Sequence, residues 1–246
     1  GRPDLAYRFL NDYLQRRDDY GGLRVLHFYQ VYRALVRAKI ACIRLTQPGI
    51  ADAERDEIGT RFRRYLDLAR SFTRPVPTPL IITHGLSGSG KTTVSDALVE
   101  NNGAVRVRSD VERKRLFGLP SEARTDSTVA AGLYSAEVGV RTYERLAELA
   151  RTIINAGVPA IVDAAFLRRA QRARFRALAA ELDVPFVIFH CEAAPALLRQ
   201  RIQHRAAEHR DASEADLAVL EHQIAGEERL MPDETDRIFT IDSGPG

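Results

Sequence analysis

Tryptophan is absent from this 246-residue chain, methionine occurs once, and the only cysteines are Cys42 and Cys191. Two cysteines so far apart, with no Cys/His spacing suited to zinc, exclude a disulfide scaffold and a structural zinc site; a reduced, cytoplasmic setting is the natural expectation. No apolar run approaches the roughly 18–20 residues that cross a bilayer, so no membrane partner is expected. The N-terminal Gly1-Arg2-Pro3-Asp4 has neither an initiator Met nor an apolar signal segment, which reads as a soluble fragment or processed chain. Internal repeats and low-complexity tracts are missing too. A broad excess of positive charge is also lacking. The net charge is +3; residues 1–77 carry 15 Lys/Arg against 9 Asp/Glu, whereas residues 78–246 carry 21 against 24. The larger part is therefore slightly acidic, which works against a long nucleic-acid substrate.

What is present centres on Leu80-Ile81-Ile82-Thr83-His84, an apolar run that reads as a buried strand, followed by Gly85-Leu86-Ser87-Gly88-Ser89-Gly90-Lys91-Thr92-Thr93 and a helical pattern. Residues 85–92 match GxxxxGK[ST] in the strand-loop-helix context that gives the motif its meaning. Glycines let the backbone turn so that successive amides face phosphate oxygens. Lys91 places a charge at the β and γ phosphates, Thr92 offers a hydroxyl to Mg²⁺, and the helix contributes its positive end. A nucleoside triphosphate with Mg²⁺ is the expected ligand.

Residues 5 to about 73 read as a short helix followed by two long ones. Leu23, Leu26, Tyr29, Leu35, Val36, Ile40 and Ile43 recur at mostly helical spacing before Pro48-Gly49 interrupts, and Ile58, Phe62, Tyr65 and Leu66 continue the period. Arg33, Arg37, Arg44, Arg61, Arg63 and Arg64 fit a solvated helix face. Arg74-Pro75-Val76-Pro77-Thr78-Pro79 cannot continue a helix and marks a stiff linker, placing a domain boundary between residues 1–77 and 78–246. Beyond it, apolar runs at 80–84, 104–108, 159–163, 185–190 and 237–241 alternate with helical stretches. That alternation specifies an α/β fold with a parallel sheet and ligands at the carboxyl ends of its strands.

Two of those ends carry carboxylates. Asp110 follows the second strand and is placed to accept a proton from an acceptor hydroxyl, with Arg113 one helical turn on; capping of the helix by Ser109 or Asp110 is the structural alternative. Asp163 ends the apolar run Ala160-Ile161-Val162 and is suited to hold Mg²⁺. Ala164 follows it, where a hydrolytic enzyme would carry a glutamate to polarise water, and no Asn-Lys-x-Asp element for guanine exists. After the fourth strand, Arg201 and Arg205 share a helix face and with Arg210 could close over a transferring phosphate, although a solvated basic helix has the same pattern. Asp211 or Ser213 is expected to cap the next helix. His84 and His190 read as hydrogen-bonded packing residues, and Tyr134, Tyr143 and Leu146 as a helix face lining the acceptor side or the core.

Gly85–Thr93, Arg108-Ser109-Asp110-Val111-Glu112-Arg113, Val162-Asp163-Ala164-Ala165-Phe166-Leu167 and Asp211-Ala212-Ser213-Glu214 together resemble AAA_33-type P-loop kinases, relatives of polynucleotide kinase, gluconate kinase and zeta-toxin kinases. The resemblance implies a three-layer P-loop NTPase sandwich with a five-stranded parallel sheet in the order 2-3-1-4-5, preceded by an α-helical segment. It implies Asp110 as base, Arg113 as substrate-phosphate ligand and Arg201 or Arg205 as lid arginine, with Ile241-Asp242-Ser243-Gly244 near the nucleotide base. Residues 1–47 resemble the end of an aminoglycoside-phosphotransferase-like domain, which implies that the chain is normally joined to an upstream kinase-like domain. The expected activity is ATP-dependent transfer of a phosphoryl group to a small-molecule, nucleotide or polynucleotide 5′-end hydroxyl. The alternative is a nucleotide-binding regulatory module, or an ATPase without phosphotransfer.

Overall fold

The computed structural model describes residues 2–120, 136–208, 216–234 and 237–244, with backbone alone at 136 and 205–208. Helices α1 (Pro3–Arg17), α2 (Leu23–Leu45) and α3 (Asp52–Ser71) precede an alternating series: β1 (Leu80–His84), α4 (Lys91–Asn102), β2 (Val105–Arg108), α5 (Ser109–Leu116), α6 (Ala136–Asn155), β3 (Ala160–Asp163), α7 (Arg169–Glu181), β4 (Phe186–Glu192), α8 (Pro195–Glu208), α9 (Leu217–Gly226) and β5 (Ile238–Asp242). The strands form one parallel sheet in the order β2-β3-β1-β4-β5, as expected for a P-loop NTPase.

The strand order follows from burial. Every residue of β1 and β3 is buried, as central parallel strands covered on both faces require. Ile81, Ile161 and Val187 on the sheet pack with Val99 of α4 and Ala104, and Tyr7 of α1 packs against this cluster. Parallel registration then sets the strand ends side by side: His84 pairs with His190, and Arg108 with Asp163.

The chain forms two compact units, and their boundary differs from the one expected at residue 77. Gly1–Tyr20 belongs with Pro77–Gly246, and Gly21–Val76 forms the other unit. The reason lies in α1. β2 is an edge strand, and its outer backbone groups need partners. Asn11 supplies them: its Nδ2 donates to the Ala104 carbonyl at 3.0 Å and its Oδ1 accepts from the Arg106 amide at 2.7 Å. At the end of α1, Arg145 of α6 donates to both carboxylate oxygens of Asp18 at 2.8 Å. Arg115 of α5 pairs with Glu112, which is buried. Burial pushes the Glu112 carboxyl upward in pKa, against the pull of Arg115. Helix α1 is therefore part of the sheet unit, tied to the helix that carries Asp110.

The other unit is an α2–α3 hairpin. The apolar period in α2 marks a helix, but the buried ridge is Ala34, Ala38 and Ala41, whereas Phe28, Tyr29, Tyr32, Leu35, Ile40 and Ile43 are exposed. Small side chains on the contact ridge let two helices pack closely. Arg33, Arg37, Arg44, Arg61, Arg63 and Arg64 are all exposed, as a solvated face requires. Asp216 caps α9 by accepting from the Val219 amide at 2.8 Å; the expected caps Asp211 and Ser213 lie outside the described residues. Among the described residues no helix is long and apolar enough to cross a membrane.

Asn11→Ala leaves the buried Ala104 carbonyl and the part-buried Arg106 amide at the β2 edge unpaired, which costs about 1–3 kcal/mol per fully buried group. Urea unfolding of the 246-residue chain should show a matching loss of stability, and an unchanged midpoint would contradict the edge-strand role.

Candidate active site

The β1–α4 connection is a glycine-dependent loop. Gly85 has φ +140°, and a Cβ there would lie 2.3 Å from the Cys191 carbonyl oxygen and 2.8 Å from Ser89 Oγ. Gly88, at φ +85°, lies against the backbone of Leu198. Neither position admits a side chain without strain. The loop delivers Lys91 as the first residue of α4, its Nζ donating to the Leu86 carbonyl at 2.7 Å.

A cavity of about 590 Å³ opens at the carboxyl ends of β1, β2 and β3. Ser87, Gly88, Gly90, Lys91, Thr92 and Thr93 line one side of it. Arg108, Asp110, Arg113, Tyr143 and Asp163 line the other, and Arg201, Gln223 and Ser243 border the loop. The sequence-derived residues Lys91, Thr92, Asp110, Arg113, Asp163 and Arg201 therefore meet in one cavity. Gly85, Leu86 and Ser89 border a second cavity of about 770 Å³ behind the loop, with His84 and His190. Arg205 lies on the backbone of α8 with its side chain outside the described set; Arg210 and Tyr134 are outside it altogether.

Asp163 is buried, and its Oδ2 accepts from Thr92 Oγ1 at 3.2 Å and Ser95 Oγ at 3.3 Å. Arg108 Nε stands 3.8 Å from the same oxygen and Arg106 Nη1 3.9 Å. A hydroxyl next to one carboxylate is a hard-oxygen pair suited to Mg²⁺, which keeps waters and takes remaining ligands from phosphate. Among the described residues no group of three or more His, Cys, Asp or Glu could hold a metal ion.

Across the cavity, Asp110 and Ser109 stand inside the first turn of α5, whose N-cap is Arg108 with no side-chain cap bond. Asp110 is thus not the capping residue. Its Oδ1 accepts from Arg113 Nη1 at 3.0 Å. Tyr143 accepts from the Phe166 amide at 3.1 Å, and its ring meets Phe166 edge-on at 5.1 Å. Burial pushes the Tyr143 phenol up to about 12, so it stays a hydrogen-bond donor at neutral pH. Phe166 holds a left-handed φ of +52°, and Arg172, itself paired with Glu234, donates to its carbonyl at 2.9 Å. This turn follows Ala164, which carries no carboxylate into the site.

Arg201 donates to the Gly88 carbonyl at 3.1 Å and to Ser243 Oγ at 2.9 Å, joining α8, the loop and the end of β5. Sequence reasoning assigned no role to Arg108 or Gln223. Alternation in the sequence puts Arg108 on the same face of β2 as Arg106, but its place opposite Asp163 is set by strand registration. Gln223 carried no local signal. The lining side chains Lys91, Arg108, Arg113 and Arg201 outweigh Asp110 and Asp163, a balance suited to a polyphosphate.

The AAA_33 family model, described as AAA domain, matches residues 80–230. The chain belongs to that family. An uncharacterised protein of Mycobacterium tuberculosis (strain H37Rv) is 31% identical over 220 residues, covering 89% of this chain and 43% of its own length. The chain thus spans less than half of the curated relatives it matches. Among solved structures, a protein of Chloroflexus aurantiacus assigned provisionally as a kinase aligns with a TM-score of 0.53 at 25% identity, over 68% of this chain and 85% of that one. A gluconokinase of Sinorhizobium meliloti aligns with a TM-score of 0.46 at 22% identity, over 69% and 84%. The fold is that of P-loop kinases. The family match begins at residue 80 and does not bear on the likeness of residues 1–47 to an aminoglycoside phosphotransferase.

Behind the loop, Nδ1 of His84 lies 2.8 Å from Nδ1 of His190, whose Nε2 lies 2.6 Å from Glu192. Burial, then the charges of His190 and Arg172, push the His84 pKa down to about 3. The folded chain therefore keeps His84 neutral where the unfolded chain protonates it. Stability should fall as pH drops from about 6.5 towards 3, with about one extra proton taken up on unfolding from this residue. Urea unfolding across that range measures the slope, and its persistence unchanged in His84→Asn would contradict the assignment.

Proposed function

We propose that this chain is an ATP- and Mg²⁺-dependent kinase that transfers the γ-phosphoryl group to a hydroxyl of a small-molecule, nucleotide or polynucleotide 5′-end acceptor. The observation that carries this reading is the meeting, in one cavity, of the loop residues Lys91 and Thr92 with the carboxylate–guanidinium pair Asp110–Arg113. A nucleotide site alone needs no carboxylate across from its phosphates.

In this reading the loop amides and Lys91 hold the β and γ phosphates, and Arg113 orients the acceptor beside Asp110. Asp110 takes the proton of the acceptor hydroxyl as its oxygen bonds to the γ phosphorus; the bond to the β–γ bridging oxygen breaks and ADP leaves. Thr92 and Asp163 would hold magnesium, which would neutralise phosphate charge. Arg201, beside Gly88, and Lys91 offset the charge that builds on the transferring group. Ala164 supports transfer over hydrolysis, because no carboxylate stands after Asp163 to polarise water. A cavity of about 590 Å³ that must also admit the triphosphate favours a small acceptor or the end of a chain.

ADP formation from ATP should depend on a hydroxylated acceptor when sugars, nucleosides and 5′-hydroxyl oligonucleotides are supplied in turn. Asp110→Asn should lower that turnover by about 10²–10⁴-fold with nucleotide affinity retained. Equal turnover in the variant would remove Asp110 from the mechanism.

A further inference from the structure

Arg108 ends β2 and is the N-cap residue of α5, so Asp110 follows it within the first turn of that helix. Strand registration sets Arg108 opposite Asp163. Its Nε stands 3.8 Å from Asp163 Oδ2, the same oxygen that accepts from Thr92 Oγ1 at 3.2 Å. The Arg108 side chain is 12% exposed, and it lines the first cavity together with Lys91, Thr92 and Asp110. Arg106, two residues earlier on the same strand face, approaches that oxygen at 3.9 Å. It is engaged on α4 instead, pairing with Asp96 at 2.9 Å and donating to Ser95 Oγ at 2.8 Å. Of the two arginines only Arg108 lines the cavity.

In a site of this loop type the lysine cradles the β and γ phosphates, and the loop hydroxyl with the strand-end carboxylate marks the metal position beside them. The γ group therefore belongs on the Thr92–Asp163 side of the cavity and has to travel towards Asp110. Arg108 is tied to both edges, through its side chain to Asp163 and through its backbone to α5. A guanidinium has five N–H donors in a fixed fork, enough to keep Asp163 and still meet phosphate oxygens.

We propose that Arg108 is a further catalytic residue: its guanidinium donates to non-bridging oxygens of the γ-phosphoryl group while that group passes from the nucleotide to the acceptor. This rests on the proposed transfer and adds to it a cation supplied from the end of β2. The bond to the β–γ bridging oxygen breaks, the bond from the acceptor oxygen forms, and the acceptor proton goes to Asp110. Arg108 stays charged throughout and exchanges no proton. A residue that only neutralised Asp163 would act on ground-state nucleotide binding, whereas this one acts on the transition state.

ADP is titrated calorimetrically into the wild-type 246-residue chain, Arg108→Ala and Arg108→Lys, with magnesium present throughout and with or without aluminium fluoride as a mimic of the transferring group. Circular dichroism checks folding. The wild type should bind ADP at least about a hundredfold more tightly with aluminium fluoride. Arg108→Ala should bind ADP alone within about threefold of the wild type and keep no more than about a tenth of that gain. Arg108→Lys, with a charge but no fork, should fall between the two. ADP formation with any acceptor that the wild type uses should fall about 10²–10³-fold in Arg108→Ala, and added guanidinium chloride should restore part of it. The full gain in folded Arg108→Ala overturns the proposal. So does a loss of ADP affinity as large as the loss of the gain, which marks a counter-ion of Asp163 only. If Arg108→Ala does not fold, Arg108→Lys decides: a gain equal to that of the wild type overturns the proposal, and a reduced one supports it. A wild type that binds ADP and gains nothing from aluminium fluoride would instead overturn the transfer reading itself.

Discussion

The hydrogen bond between Thr92 and Asp163 is the contact on which the site depends. It joins the first turn after the glycine loop to the end of the neighbouring strand, and so fixes the loop against Asp163. Asp163 is buried, and a buried carboxylate is tolerable only when charge and hydrogen-bonding capacity are both satisfied. Thr92 and Ser95 satisfy it from α4, while Arg106 and Arg108 approach the same oxygen from β2. One carboxylate therefore registers three elements against one another.

The acceptor side depends on a different kind of support. Asp110 and Arg113 ride on the eight-residue helix α5, too short to hold itself in place by its own hydrogen bonds. Arg115 reaches from α5 to the carbonyl of Gln15 on α1, and Glu112 anchors it from below. Helix α1 thus acts as a brace for the residues that would meet the acceptor, which is why it belongs with the sheet and not with the hairpin that follows it. Beside them Tyr143 and Arg172 hold the left-handed turn at Phe166, keeping the backbone after Asp163 in a conformation that a free chain avoids.

Much of this was legible in the residue order. The five apolar runs, the glycine spacing and the terminal Asp of the third run specify the strands, the loop and the carboxylate beside it through local physics: burial, backbone freedom and charge. The apolar period of α2 was a weaker guide. It marked a helix but not its buried face, because alanines too small to dominate a hydrophobic pattern form the packed ridge. The proline linker was read as the single boundary for a similar reason: a break in local structure is visible in sequence, whereas the return of Asn11 to a strand more than ninety residues away is not.

Residue order by itself determined a glycine loop of phosphate-binding pattern, one carboxylate at the end of a strand and one just beyond another, since each follows from neighbours along the chain. Only the tertiary structure decided that β3 inserts between β1 and β2, which brings Asp163 to Thr92 and sets Arg108 beside it. It alone decided that Gln223 meets the Ser87 amide across 136 residues of chain. Such contacts depend on how helices and strands stack in space, where the partner is chosen by packing and not by spacing.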